Sequence, residues 1–225
     1  MPKSASHETL VNYCYRNLRD KIIHGEFAPG EKLQIAKLKT RLNAGPTPIR
    51  EALARLNSSG LIYSEENKGF WVKDVSESEI RDIYSTFNKI EILALSQAID
   101  LGDSSWAAAI VAALYKLGIV EKGNPPIDPQ LWLEQNYEFH SSLVIGCNSP
   151  CLMKIRENLY RLFDRYCYLS FLINKNSLVL NHKDHCDLAA AVIARDKETS
   201  CKLLTLHLEN SLEQVIERLK KNKFL

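Results

Sequence analysis

The chain carries almost no net charge: 29 basic residues against 27 acidic ones leave it at +2. A general nucleic-acid coat needs a broad basic surface to displace counterions from phosphates, so that class is excluded. No uninterrupted apolar run reaches the roughly 18 residues expected of a membrane span. The start, Met1-Pro2-Lys3-Ser4, lacks the apolar core of a secretory signal, and residues 2–7 read as a loose arm. There is no Cys-x-x-Cys pair. The six cysteines, at 14, 147, 151, 167, 186 and 201, are scattered mainly over helical patterns and read as buried free thiols of a reducing, cytoplasmic setting. What remains is a 225-residue chain, 45% apolar, with enough core-forming residues for two modest domains or one large one.

The most informative stretch is Pro46-Thr47-Pro48-Ile49-Arg50-Glu51-Ala52-Leu53-Ala54-Arg55-Leu56. Thr47 suits an N-cap, because its hydroxyl can accept from a free backbone N–H, and Pro48 suits the first helical position. Ile49, Ala52, Leu53 and Leu56 then fall at i, i+3, i+4 and i+7 as one buried stripe, with Arg50, Glu51, Ala54 and Arg55 left outside. An ordinary amphipathic surface helix has the same periodicity; the neighbouring segments distinguish the two. Upstream, Gln34 to Leu42 reads as a second short helix, with Leu33, Leu38 and Leu42 as apolar positions. Asn43-Ala44-Gly45 makes the turn, Gly45 being free to take φ > 0. Two short helices joined by such a turn are the helix-turn-helix pattern. Downstream, Leu61-Ile62-Tyr63 and Phe70-Trp71-Val72 flank the polar turn Asn67-Lys68-Gly69 and read as a hairpin. A wing tipped by Lys68 and Gly69 can lie along a phosphate backbone or enter a minor groove. A first helix, Leu10 to His24, carries Val11, Leu18, Ile22 and Ile23 and stops at Gly25. Local basic surface comes from Arg16, Arg19, Lys21, Lys32, Lys37, Lys39, Arg41, Arg50 and Arg55.

From Ser76 onward the pattern is helical nearly throughout. Ser76 and Glu79 form a capping box, and Ile80, Ile83, Tyr84, Phe87, Ile90 and Leu93 continue the stripe. Further helical segments run from Trp106 to Leu117, Pro129 to Cys147, Pro150 to Leu172, Ser177 to Arg195 and Lys197 to Lys221. Breaks fall at Gly123-Asn124-Pro125-Pro126 and Asn148-Ser149-Pro150. The fold expected is mainly α: an N-terminal winged helix-turn-helix over 1–75, then an antiparallel all-helical bundle over 76–225. The bundle carries a histidine constellation. Asn136 and His140 share one helix face at i, i+4, His182 and His185 sit at i, i+3 on another helix, and His207 lies midway along the last. Three helices can converge such side chains on one interior point, and neutral imidazole is a common ligand for zinc-class metals. Isolated helical histidines are more often ordinary core or surface residues, so both readings stand at this point.

Two resemblances bear on these motifs. Leu18-Arg19-Asp20-Lys21-Ile22-Ile23, Pro29-Gly30-Glu31-Lys32-Leu33, Thr47-Pro48-Ile49-Arg50-Glu51-Ala52-Leu53 and Lys68-Gly69-Phe70 resemble the DNA-binding half of GntR-family transcriptional regulators, over residues 8–75. Asn136, Phe139-His140, His185, Arg195-Asp196 and His207-Leu208 resemble the FCD effector domain of the FadR subgroup, over residues 76–221. The resemblance implies a homodimeric, cytoplasmic repressor acting on a pseudo-palindromic double-stranded DNA operator, with no membrane partner. It also implies a divalent metal held by Asn136, His140, His185 and His207, and a small carboxylate effector bound at that metal. Zinc is the metal expected, with nickel and manganese as alternatives. His182 falls outside the motif, as an outer-sphere or surface residue.

Three departures from the family pattern matter. Gly45-Pro46 stands where the family has Ser or Thr followed by Arg, which leaves Arg50 as the main groove contact, with Arg41 and Thr47 supporting it on the backbone. Asn136 replaces a frequent Asp. Phe87 stands where the family often has an effector-pairing Arg; Arg156 and Arg165 are the substitutes, with surface salt bridging as the competing role for either. Two rival readings are a metal-free regulator whose histidines bind the effector directly, and a helical metalloenzyme. Against the enzyme, no motif carboxylate lies beside the ligands, since Glu138 is two residues from His140 and faces away.

Overall fold

The hairpin and the three helices before it share one small core. In the computed structural model, which describes residues 9–66, 68–123, 128–173 and 182–225, α1 spans Leu10–Ile23, α2 Ile35–Leu42 and α3 Pro46–Ser58. The strands are β1, Ile62–Glu65, and β2, Gly69–Val72. Thr9 caps α1 by accepting from Asn12 N, and Cys14, Leu18, Ile22 and Ile23 are its buried residues. On α3 the predicted stripe is fully internal: Ile49, Ala52, Leu53 and Leu56 are each 0% exposed.

The turn between α2 and α3 differs from expectation in two details. Asn43, not Gly45, takes the left-handed conformation, at φ 47°. Asparagine is the other residue that tolerates this region, and here it ends α2. Gly45 is extended and serves as N-cap, so α3 begins at Pro46 and Thr47 lies inside the first turn without capping it. The β1–β2 pair is antiparallel, with Tyr63 opposite Trp71 and their rings stacked 5.7 Å apart. Leu33 N donates to Phe70 O and Val72 N to Glu31 O, tying the hairpin to the segment before α2. Asn67, part of the predicted wing turn, lies outside the described residues, as do residues 2–7.

A second compact unit begins at Ser76. It contains α4 (Glu77–Leu101), α5 (Ser104–Glu121), α6 (Pro129–Val144), a 3-10 turn at Ile145–Cys147, α7 (Pro150–Ile173), α8 (His182–Ile193) and α9 (Lys197–Lys221). α4 packs on α7 and α9, α5 on α6 and α8, and α8 on α9. The predicted start of α8 at Ser177 and the predicted break at 124–126 lie outside the described residues.

Ser76 caps α4 by accepting from Glu79 N, but the return half of the capping box is taken by Tyr166. Its hydroxyl accepts from Ser76 N at 3.3 Å and donates to Glu79 Oε2 at 2.5 Å. The buried stripe of α4 continues through Glu91, Ala94, Leu95 and Ala98; Leu93 is 47% exposed and Ile90 only half-buried, contrary to expectation. Arg195, at positive φ, donates to Ile99 O and Gly102 O and so satisfies carbonyls at the end of α4, while Asp196 caps α9. The cysteines are free; Cys14, Cys147 and Cys167 are buried as expected, whereas Cys151 is exposed and Cys186 and Cys201 are half-buried.

α5 corrects the statement about membrane-length segments. Its 18 residues have a mean hydropathy of 1.2, long and apolar enough by length and composition to cross a membrane, and 28% of the helix is buried. Tyr115, Lys116 and Gly118 interrupt the apolar run and hid this in the sequence. Val111, Tyr115 and Ile119 form an exposed apolar row on it.

Candidate functional site

Much of the predicted basic surface of the first unit is already engaged internally. Arg19 pairs with Asp20, Lys21 and Arg41 with Glu26, and Arg55 donates to Asn12 while lying over the Tyr15 ring. Arg55 therefore ties α3 to α1 although its position faces outward. Lys32 sits over the Trp71 ring. Arg50 is exposed on α3, and among the described residues it has no ion-pair partner; Thr47 beside it, and Lys37 and Lys39 on α2, are also exposed. At the wing, Lys68 pairs with Glu65 at 2.8 Å and is 70% exposed. Gly69 adopts φ 116°, a conformation other residues reach only with strain, and this lets the backbone turn into β2.

The second unit brings three of the predicted ligands together. His140 comes from α6, His185 from α8 and His207 from α9, and their ligand nitrogens all lie within 4.8 Å of one another. Asn136, one turn before His140, lines the same narrow cavity as His185 and His207; its free space is about 50 Å³, room for one or two waters. Asn136 Oδ1, both ring nitrogens of His185 and His207 Nδ1 are buried and lack hydrogen-bond partners among the described residues. Buried polar atoms are almost always satisfied, so four such atoms on three residues lining one cavity mark a set of donors arranged for something else. Burial, reinforced by His207 and His185, holds His140 well below the usual histidine range. Burial likewise takes His207 down to about 3. Both rings are therefore neutral at physiological pH, the form that offers a lone pair to a cation. The donor set fits a divalent metal.

Glu121, at the end of α5, belongs to this site and was missed in the sequence. Its carboxylate is fully buried; Oε1 lies 3.0 Å from His185 Nδ1 and accepts from Trp132 Nε1, and Oε2 lies 2.8 Å from His182 Nδ1. Burial raises its pKa, but His185, His182 and Trp132 more than offset that and leave the carboxyl below the usual range. His182 thus contacts Glu121 and is not among the three converging histidines. Glu138 pairs with Lys116 at 3.3 Å, away from the triad.

The candidate effector arginines separate. Arg156 is buried, ion-paired with Glu91, and donates to Ser141 Oγ at 3.0 Å; it is close enough to lower the pKa of His140. Arg165 is buried and does not line the cavity. The arginine that does line it is Arg218, whose guanidinium lies 5.5 Å from the Phe171 ring centre. Its spacing held a signal: His207, Ser211 and Arg218 fall at i, i+4 and i+11 on one face of α9.

Residues 10–72 match the gntR family of bacterial regulatory proteins and residues 82–210 match the FCD domain. The repressor GlaR of Escherichia coli K12 is 34% identical over 200 residues, covering 86% of this chain and 90% of GlaR. The regulator BphR of Paraburkholderia xenovorans LB400 is 29% identical over 214 residues, covering 94% of this chain and 87% of its own length. The solved structure of E. coli McbR/YncC shares the fold, with a TM-score of 0.79 at 23% identity, covering 94% of this chain and 99% of that one. The chain belongs to the GntR family and carries the FCD domain of its FadR subgroup. It is a DNA-binding transcriptional regulator whose second domain takes a small-molecule effector, and not an enzyme.

Proposed function

We propose that this regulator is a homodimeric, cytoplasmic repressor in which a small carboxylate, bound at a metal in the second unit, controls operator binding. The observation that carries this reading is the convergence of His140, His185 and His207, with buried nitrogens of His185 and His207 lacking hydrogen-bond partners among the described residues, in the effector domain of a DNA-binding family. Asn136 would complete the ligand set; three imidazoles and one carbonyl oxygen suit zinc, and also nickel, better than manganese, which prefers oxygen-rich sites. A bound zinc ion would supply a positive centre with room for one further oxygen ligand. Because Asn136 is neutral, little of that charge is compensated by the ligands themselves, which favours an anionic effector. Arg218 at the cavity and Arg156 near His140 add to the same positive field.

The DNA half of the reading assigns Arg50 to base edges in the major groove, with Thr47, Arg41, Lys68 and Gly69 positioned along the backbone. Two such heads imply a pseudo-palindromic operator and a two-fold dimer. The exposed Val111, Tyr115 and Ile119 row of α5 is the apolar surface we assign to the second copy, in place of a membrane. Effector and operator then bias the same dimer, a coupling typically worth ~1–3 kcal/mol. The metal-free alternative is less well supported: buried neutral imidazoles offer a carboxylate one N–H each, and His185 Nδ1 already lies 3.0 Å from the Glu121 carboxylate.

Elemental analysis of protein purified without chelator tests the site. His140→Ala, His185→Ala and His207→Ala should each lower bound metal, while His182→Ala should retain most of it. Equal metal in wild type and all four variants would remove the assignment. Gel shifts with a panel of small dicarboxylates, before and after chelation, test whether the metal mediates the response.

A further inference from the structure

We infer that Glu121 is the positioning carboxylate of the metal site: it fixes His185 with its proton on Nδ1 and supplies, one imbidazole ring away from the metal, the negative charge that Asn136 lacks. The inference rests on the metal reading above.

An ionised carboxylate only accepts, so any N–H group that hydrogen-bonds to Glu121 presents its proton to it. Trp132 Nε1 and His182 Nδ1 do so, and His185 Nδ1 lies at ion-pair distance, 3.0 Å from Oε1, turned out of line for a hydrogen bond but nearest to the charge that favours a proton on it. A neutral His185 with its proton on Nδ1 keeps its lone pair on Nε2. That atom is buried, has no partner among the described residues, and belongs to the ring that faces His140 and His207. The tautomer needed for a ligand is thus set from outside the triad.

Charge argues the same way. Three neutral imidazoles and an amide would leave a divalent ion wholly uncompensated in a buried site. The Glu121 side chain is 0% exposed, so its charge is screened little by water. Through His185 it raises the basicity of one ligand and neutralises part of the ion. Loss of such a partner typically costs about 10–100-fold in metal affinity. Trp132, which shares Oε1 with His185, also lines the cavity, so the carboxylate joins a ligand to the cavity wall.

The test uses the full-length protein and Zn²⁺ as probe. Glu121→Gln keeps the shape and loses the charge; Glu121→Leu loses charge and acceptor. In competition with a chromogenic chelator, Zn²⁺ should bind about tenfold more weakly to the first variant and up to about a hundredfold more weakly to the second. Melting of the metal-free proteins controls for folding. A second measurement needs no variant: long-range ¹H–¹⁵N NMR of histidine-labelled, metal-free wild type should show His185 protonated on Nδ1. Wild-type Zn²⁺ affinity in both variants, or His185 protonated mainly on Nε2, overturns the inference. If His140→Ala binds Zn²⁺ as tightly as wild type, the metal reading itself fails, and the tautomer still decides what Glu121 does to His185.

Discussion

Glu91 on α4 and Arg156 on α7 form an ion pair in the interior of the second unit, their side chains 2% and 1% exposed. Burial pushes the Glu91 carboxyl up while the Arg156 guanidinium opposes the shift. Removing one partner strands the other charge out of water. Arg156→Met is therefore expected to cost about 3–5 kcal/mol in denaturant unfolding. Combining it with Glu91→Gln should recover a substantial part of that loss. An equal loss in the double variant would mean that packing around Arg156, over Phe87, Tyr137 and Tyr160, matters more than charge.

Arg50→Ala and Arg55→Ala should separate although the two residues lie on the same helix. Arg50 is exposed and unpaired among the described residues, so its loss should leave the fold intact. Operator affinity should fall by about 1–3 kcal/mol, roughly ten- to a hundredfold. Arg55 holds Asn12 and the Tyr15 ring, so its loss should lower the melting temperature and affect DNA binding only through the fold. Gel-shift titration paired with thermal melting reads both effects. Wild-type operator affinity in Arg50→Ala would remove Arg50 from the groove.

The sequence made some of these features legible and concealed others for physical reasons. The α3 stripe and the Asn136–His140 pair follow helical spacing, which local geometry enforces wherever a helix forms. The capping of α3 did not: Gly45-Pro46 and Thr47-Pro48 both offer a cap followed by proline, and only the position of the turn at Asn43 selects the first. Whether Arg156 faces solvent or Glu91 is decided by how α7 meets α4, a tertiary relation without a spacing rule. Glu121 was concealed for the same reason, at the end of an apolar helix far in sequence from the histidine it holds. Arg218 was within reach, since its spacing from His207 keeps it on the ligand face of α9.

Asp164 gives a pH signature. Burial pushes its carboxyl up to about 7, well above its value in an unfolded chain. Between the unfolded pKa and about 7 the folded protein binds the extra proton, so stability falls as pH rises through that window and levels off above it. Asp164→Asn removes the titration. The variant should melt higher than wild type at pH 8, by about 2–4 °C for each kcal/mol relieved. The difference should shrink steadily toward pH 4. A gain independent of pH would assign the effect to packing or hydrogen bonding by the amide instead.

Asn136→Asp tests the electrostatics of the metal site directly. Asn136 Oδ1 is buried without a hydrogen-bond partner among the described residues, so a carboxylate at the same position would face whatever occupies the cavity. With a metal present, an anionic oxygen neutralises the ion better than an amide carbonyl does, and Zn²⁺ affinity should rise on the order of tenfold, about 1.4 kcal/mol. The same added charge reduces the positive field that attracts an anionic effector, so dicarboxylate binding should weaken. Without a metal, the new carboxylate sits unpaired in a buried cavity, and the metal-free variant should melt below metal-free wild type. Calorimetric titration with Zn²⁺, then with a dicarboxylate on the loaded protein, separates the two binding effects by their opposite signs. If both ligands bound more tightly, Asn136 would act through the shape of the cavity and not through charge at the metal.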